Sequence, residues 1–170
     1  MTDFGNIIGP TDGRRRWGRA QNRTFTDPYK SVKKPLEPTV CPQCGAVYHG
    51  GRWQWAERPP HAHEEICQAC RRINDNFPAG LITIVGSSVR EHKDEIMHIV
   101  ENQERIEKAE HPFNRIMKID DDADKLVITT TDIHLPRRIG ESLKSALRGE
   151  LTFDYEEDAY FVRVGWNCGD

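Results

Sequence analysis

Apolar residues recur at helical spacing in two segments of the second half of the chain. The first segment has these members: Val89, Ile96, Ile99, Val100 and Ile106. Their spacing places them on one side of a helix. We predict one long linking helix over residues 87–111, which begins at a serine cap and ends before Pro112, since the residue before a proline avoids the helical region. A second, shorter stripe predicts a helix with these apolar positions: Leu135, Ile139, Leu143, Ala146 and Leu147.

Four runs rich in β-branched and aromatic residues flank the second helix. They cover residues 115–119, 126–131, 151–155 and 160–166, and such runs are typical of strands. We therefore predict a β-β-α-β-β domain with an antiparallel sheet over residues 112–170. Its helix should pack Leu143 and the rest of its stripe against Val127, Phe153 and Val162.

The first half of the chain contains two cysteine pairs in the pattern C-x2-C-x22-C-x2-C: Cys41, Cys44, Cys67 and Cys70. Each tight turn presents two thiolates to one cation, and four soft sulfurs suit one structural Zn²⁺ per chain. Gly45 follows the first pair, where the turn needs a permissive backbone. We predict a zinc-ribbon-like module over residues 41–86, with short strands near Tyr48, at 53–55 and at 81–85.

Other possible metal ligands fit the pattern less well. His49, His61 and His63 are able to replace a cysteine, but the two pairs already fill a tetrahedral shell. His61 and His63 lie beside two prolines and are expected in a loop, and Cys168 has no partner cysteine. A redox role for one C-x2-C pair would require a nearby βαβ pattern, which the sequence does not show.

Length and composition allow one domain or two small ones in an α+β protein. The chain has 170 residues, 36% hydrophobic and 30% charged. No apolar run reaches the roughly 18 residues of a membrane span, and the N-terminus lacks the basic and apolar regions of a signal peptide. We therefore expect a cytoplasmic protein with no membrane partner, in which paired cysteines hold metal rather than form disulfides.

Charge is distributed unevenly. Residues 1–40 carry eight Lys/Arg and four Asp/Glu, a balance of +4, whereas residues 41–170 carry sixteen and twenty-three, a balance of −7. The first 40 residues are rich in Gly and Pro and show no apolar period, which predicts an extended arm that is disordered when free. A basic arm on an acidic body indicates a polyanionic partner, although a solvated tail without a partner has the same composition.

The arm interleaves basic and aromatic residues, as expected for binding to structured RNA, where cations pair with phosphates and rings stack on bases. The candidate RNA-binding residues are Arg14, Arg15, Arg16, Trp17, Arg19, Arg23, Phe25, Tyr29, Lys30, Lys33 and Lys34, extended beside the cysteines by Arg52, Arg71 and Arg72. Basic residues on the second helix are more simply explained by solubility.

No catalytic motif is present. The sequence lacks a Gly-rich phosphate loop, G-x-S-x-G and H-E-x-x-H. Asp132 and His134 join a strand to a helix, but Asp132 is more simply a helix cap. We therefore expect no enzymatic activity, no catalytic residues and no small-molecule substrate.

Four segments together resemble a group of small bacterial proteins: CPQCGAVYHGGRW, CQACRRINDNFPAG, AEHPFNRIM and TTTDIHLPRRIGESL. That group is similar to the zinc-bearing N-terminal portion of the archaeal and eukaryotic large-subunit export adaptor, the third nonsense-mediated-decay protein. The resemblance covers residues 41–166. The chain has cysteines for one zinc site where the adaptor carries more.

The resemblance implies binding to the ribosome, to its large subunit in particular, and to ribosomal RNA. Translation regulation, ribosome hibernation and large-subunit maturation all fit such a protein. Two other classes stay open from the residues alone. A zinc-dependent or nucleic-acid-processing enzyme would need an open zinc coordination position. A zinc-ribbon DNA-binding regulator would sediment with the nucleoid rather than with ribosomal subunits.

Overall fold

The computed structural model describes residues 26–169, which form a mixed α+β structure with three helices and two mixed sheets. The elements in chain order are β1 (Thr39–Val40), β2 (Ala46–His49), β3 (Arg52–Trp55), β4 (His63–Glu64), α1 (Gln68–Asp75), β5 (Gly80–Val85), α2 (Lys93–Glu110), β6 (Ile116–Asp122), β7 (Lys125–Thr130), α3 (His134–Ala146), β8 (Gly149–Tyr155) and β9 (Val162–Cys168). None of these helices is long and apolar enough to cross a membrane.

The smaller sheet has the strand order β3-β2-β1-β4. Strands β1 to β3 pair antiparallel, while β4 runs parallel to β1. The strands predicted near Tyr48 and at 53–55 are confirmed as β2 and β3. The tip of the β2–β3 hairpin is held by Glu37, whose carboxylate accepts hydrogen bonds from the amides of Gly50 and Gly51, both at 2.9 Å.

The larger sheet has the order β6-β7-β5-β9-β8, and its central strand is β5. The prediction of a purely antiparallel sheet is wrong, because β5 runs parallel to β9 although it pairs antiparallel with β7. The strand that we assigned to the zinc module thus forms the middle of the C-terminal sheet. This position explains its apolar sequence, since a central strand covered by helices buries Ile82 and Ile84 completely.

Both long helices pack on one face of the larger sheet. The predicted stripe of α3 is confirmed at Leu135, Ile139 and Leu143, which are fully buried in a core shared with Ile96 and Val100 of α2. Val162 and Phe153 contact the same core, but Val127 does not. Neighbouring strand residues point to opposite faces, so Leu126 and Ile128 are the residues of β7 that face the helices.

Helix α2 begins at Lys93, six residues later than predicted. A turn precedes it, in which Val89 N donates to Gly86 O at 3.2 Å and His92 N donates to Ser88 O at 3.0 Å. Val89 is buried in the core in spite of lying outside the helix. The apolar spacing that suggested helix at Val89 therefore reflects a turn that folds onto the same core.

Candidate metal centre

The first cysteine pair lies in a tight turn between β1 and β2. Cys41 N donates to Ala46 O at 2.8 Å, and Gly45 N donates to Cys41 O at 2.9 Å. Gly45 has a φ of +79°, a backbone conformation that only glycine adopts without a steric cost. The predicted need for a permissive residue after the first pair is confirmed. This turn points both Cys41 and Cys44 toward the second pair.

The second pair lies at the start of α1, a helix that the sequence analysis did not predict. Cys67 is its N-cap, with φ −66° and ψ 159°, and its Sγ accepts a hydrogen bond from Cys70 N at 3.5 Å. Cys67 N in turn donates to Cys41 Sγ at 3.4 Å. Amide donors and the positive end of a helix both favour the thiolate form of cysteine. The cap thus supplies one contribution in favour of a charged Cys67 sulfur, against the Cys44 hydrogen bond and burial, which raise the pKa of Cys67.

The four sulfurs form one buried cluster that fits a metal ion. All four Sγ atoms lie within 4.8 Å of one another, and Cys44 and Cys67 are 3.8 Å apart. A tetrahedral site with metal–sulfur bonds of about 2.3 Å has sulfur–sulfur edges of about 3.8 Å. No disulfide joins any of the five cysteines. Within residues 26–169 this is the one group of metal-ligating side chains, so His49, His61 and His63 do not join it.

A cation would also resolve an electrostatic conflict among the thiols. The hydrogen bond between Cys44 and Cys67 lowers the pKa of Cys44 to about 4 and raises that of Cys67. One thiolate therefore forms at the expense of its neighbour. A divalent ion removes this competition, because it pairs with every thiolate at once.

The surroundings of the cluster come from both halves of the chain. Trp53 of β3 and Phe113, which precedes β6, pack on the cysteines, with ring centroids 5.9 Å apart. Arg115 is only 7% exposed, and its Nη2 donates to Cys67 Sγ at 3.5 Å and to Cys70 Sγ at 3.4 Å. Sequence reasoning missed Arg115, which lies 45 residues beyond Cys70 and has no local signal.

Seven of the residues expected to bind RNA lie outside the described residues: Arg14, Arg15, Arg16, Trp17, Arg19, Arg23 and Phe25. The rest of the arm is described and does not match the expectation of a disordered segment. Residues 26–40 contact the body, and β1 at their end is buried. Among the described arm cations, Lys30, Lys33 and Lys34 are exposed.

Arg72 and Tyr29 are corrections to the predicted RNA surface. The Arg72 side chain is 1% exposed and forms an ion pair with Asp27, and its Nη1 donates to Phe77 O at 3.0 Å. Tyr29 covers the guanidinium with its ring at 4.4 Å and donates its hydroxyl to Asp75 Oδ2 at 2.8 Å. Arg72 and Tyr29, which we expected to bind RNA, instead contact each other. A buried guanidinium is stabilised by a carboxylate and by the face of an aromatic ring, here those of Asp27 and Tyr29.

The two other predicted cations near the cysteines stay at the surface. Arg52 is exposed at the tip of the β2–β3 hairpin. Arg71 is exposed as well, and its Nη2 pairs with Glu65 at 3.0 Å. The Glu37 contact brings the arm to this hairpin tip, where Arg52 also lies. Lys34 and Lys33 precede Glu37 by three and four residues.

Asp132 acts as a helix cap, as its position suggested. Its Oδ2 accepts hydrogen bonds from His134 N at 2.6 Å and Leu135 N at 3.0 Å. Burial raises the pKa of Asp132 to about 6. His134 instead lines a polar cleft of about 460 Å³ between α2 and α3, where Arg138 pairs with Glu107 at 3.3 Å. The Asp132 carboxylate thus binds the first backbone amides of α3, while the His134 side chain lines the cleft.

The chain matches no protein-family model, and comparisons with curated proteins and with solved structures found no similar protein.

Proposed function

We propose that this protein is a non-catalytic, ribosome-associated zinc protein that binds ribosomal RNA through its basic N-terminal segment. Its partners are the ribosome, the large subunit in particular, and ribosomal RNA, and it acts in the cytoplasm. Translation regulation, ribosome hibernation and large-subunit maturation are the roles consistent with such binding. The proposal rests on one observation: the basic residues 1–40 are joined by the Asp27–Arg72 ion pair to the acidic residues 41–170, which contain the four clustered cysteines.

Zinc is the metal that the donor set favours. Four cysteine sulfurs in one cluster, three of them buried, suit a soft, tetrahedral cation and leave no position for a reactive water. The smaller sheet consists of strands of two to four residues and contributes little apolar surface of its own. Metal binding therefore supplies folding energy that this module lacks. A closed four-sulfur shell also supports a structural rather than catalytic role.

The attachment of the arm supports an RNA-binding role for the residues that precede it. Asp27 and Tyr29 bind Arg72, so the chain is held to the body at these two residues. Lys30, Lys33 and Lys34 are exposed next to that point, and none of the three forms an ion pair within residues 26–169. Fixing one end of a basic segment reduces the entropy lost when its cations meet phosphates.

The body is not expected to contribute much electrostatic attraction to RNA. Residues 41–170 have a balance of −7, which opposes a polyanion at long range. Two of the cations we expected there are also engaged, since Arg72 is buried and Arg71 pairs with Glu65. Residues 14–34 carry eight Lys/Arg and one acid, Asp27, which pairs with Arg72. This stretch is therefore expected to supply most of the affinity.

Sedimentation of the protein with ribosomes tests the proposal. The intact protein should co-sediment with ribosomes at low salt, and nuclease treatment should release it. If about 5–6 cations reach phosphates, the logarithm of the affinity should fall with the logarithm of the salt concentration with a slope of about −4. Replacing Arg14, Arg15 and Arg16 by Ala should make the slope shallower, from about −4 to about −2.

A matched control removes the same charge from the body. Lys118, Lys125 and Lys144 are exposed on β6, β7 and α3, and their replacement by Ala should leave the slope unchanged. Trp17→Ala should weaken binding by about 1–3 kcal/mol if the ring stacks on a base. Equal losses from the arm and body variants would show that the arm has no special role. Absence of co-sedimentation at low salt would refute ribosome binding itself.

A further inference from the structure

Arg115 is the residue that joins the cysteine cluster to the larger sheet. It directly precedes β6, and its Nη2 group contacts two sulfurs of the second cysteine pair, those of Cys67 and Cys70. Its Nε is buried and has no hydrogen-bond partner among residues 26–169. A buried cation is costly unless acceptors surround it, so the two sulfurs also stabilise the arginine.

The net charge of an occupied site would favour a nearby cation. Four thiolates and one divalent metal ion carry a net charge of −2, and Cys41, Cys67 and Cys70 are each at most 4% exposed. Burial of an uncompensated double charge is strongly unfavourable. One guanidinium in contact with two of the sulfurs would reduce the magnitude of the net charge, from −2 to −1. Donors around a metal site raise its affinity in the same way in other proteins.

The backbone of Arg115 transmits this contact to the sheet. Its amide donates to Thr131 Oγ1 at 3.1 Å, and its carbonyl accepts from Thr131 N at 2.9 Å, at the end of β7. The next residue, Ile116, donates its amide to Glu104 Oε1 of α2 at 2.8 Å. A displacement of the guanidinium therefore disturbs the start of β6, the end of β7 and the middle of α2 together.

We propose that Arg115 is the counter-cation of the metal centre and that through it metal binding orders the β6–β7 edge of the larger sheet. Arg115 is a positioning residue and not a metal ligand. The metal centre then fixes the relative placement of the two sheets, in addition to folding the smaller one. This inference rests on the proposed metal site and is independent of ribosome binding.

The test uses the full chain in four forms: wild type, Arg115→Gln, Arg115→Lys and Arg90→Gln. Arg90 is the matched control, since it is an exposed arginine whose ion pair with Asp124 is also exposed. Zinc affinity is measured by competition with a chromophoric chelator. Arg115→Gln should weaken zinc binding about 10–100-fold, Arg115→Lys should recover part of the loss, and Arg90→Gln should match the wild type.

Two further readouts separate counter-charge from mere packing. In the Co²⁺-loaded protein, Arg115→Gln should move the sulfur-to-metal charge-transfer band to longer wavelength, because the thiolates lose hydrogen-bond donors. In the wild type, chelation should lower the hydrogen-exchange protection of amides 115–131, and in Arg115→Gln the loaded and stripped forms should differ much less. The Arg115→Lys variant should show an intermediate difference.

The failure of each proposal has its own signature. If the wild type binds no zinc or Co²⁺, the metal site and the role of Arg115 both fail. If the wild type binds metal but Arg115→Gln binds it within twofold of the wild type, the counter-cation is refuted and the metal site stands. If affinity falls but chelation leaves residues 115–131 equally protected in the wild type, the coupling to the sheet is refuted.

Discussion

Replacing Asp27 by Asn tests whether the Arg72 ion pair fastens the N-terminal segment to the body. The Arg72 side chain is 1% exposed and that of Asp27 is 11% exposed, so the pair is shielded from water. Asparagine keeps the size of aspartate and a carbonyl acceptor but removes its negative charge. The substitution therefore leaves a buried guanidinium without its counter-ion while changing the packing little.

Removing one partner of a buried ion pair costs about 3–5 kcal/mol. Two features of this site lower the expected cost. Arg72 retains the carbonyl of Phe77 at 3.0 Å and three aromatic rings, of Tyr29 at 4.4 Å and of Phe77 and Tyr160 at 5.8 Å each. The segment 26–38 is also able to detach and admit water to the guanidinium. We expect Asp27→Asn to lower the free energy of unfolding by about 2–3 kcal/mol.

Denaturant unfolding and limited trypsin digestion measure the two parts of this effect. Lys30 and Lys33 are exposed trypsin sites beside the anchor, and detachment should accelerate cleavage there before global unfolding. Tyr29→Phe is the control, since it removes the hydrogen bond to Asp75 but keeps the ring over Arg72, and it should cost about 0.5–1.5 kcal/mol. An Asp27→Asn variant within about 0.5 kcal/mol of the wild type, with unchanged cleavage, would falsify the anchor.

The remaining predictions concern the metal, the core and the helix cap. Elemental analysis should find about one zinc per chain, and Cys67→Ser should abolish it and unfold the smaller sheet while leaving the core of the larger sheet folded; retention of zinc would contradict the ligand set. Leu143→Ala should lower the free energy of unfolding by about 2–5 kcal/mol, since the side chain is fully buried, and a loss below 1 kcal/mol in denaturant would contradict its place in the core. Asp132 has a folded pKa of about 6, above its unfolded value of about 3.9, so its contribution to stability is present below pH 4 and is lost as pH rises to 6. Asp132→Asn keeps the cap acceptor but does not titrate, so it should remove this decrease of about 2–3 kcal/mol in the free energy of unfolding between pH 4 and 7. Identical pH profiles for the variant and the wild type would contradict the raised pKa.

Features that depend on nearby residues were predictable from the sequence. The C-x2-C pairs fix two sulfurs within one turn each, and the positive φ of Gly45 follows from the same turn. The stripe of α3 requires only the 3.6-residue period of a helix. The cysteine cluster and the buried side chains Leu135, Ile139 and Leu143 were therefore predicted correctly.

Features that depend on distant pairing were not predictable. The apolar sequence of β5 does not indicate which of the two sheets the strand joins. Its parallel partner β9 begins 82 residues later, at the pair Gly80–Val162. The burial of β5 alternates along the strand, but Leu81 and Val85 are apolar on its less buried face, so its sequence lacks the apolar–polar alternation that identifies a surface strand. The side assigned to Val127 was wrong for a related reason, because a shift of one residue reverses every side chain of a strand.

The two buried arginines were missed because charge is a poor guide to burial. Arginine lies at the surface in most proteins, so Arg72 beside the cysteines suggested an RNA contact, and Arg115 drew no attention. Each buried arginine has a partner that is distant in the sequence. Arg72 pairs with Asp27, and Arg115 donates to Cys67 and Cys70. Asp27 was the missing signal for Arg72, since a carboxylate does not bind a polyanion and therefore needs a cation elsewhere in the chain.

Helix α1 connects the metal centre to the anchor of the basic segment. It has eight residues, too few for a stable isolated helix, and it carries Cys70 near its start and Arg72 two residues later. Loss of the metal should therefore fray α1, displace Arg72 from Asp27 and Tyr29, and free the segment. Chelation of the wild type should accelerate trypsin cleavage at Lys30 and Lys33 about as much as Asp27→Asn does, and chelation of Asp27→Asn should add little. If chelation leaves those two sites as protected as before, α1 is held by its packing alone and the metal has no control over the basic segment.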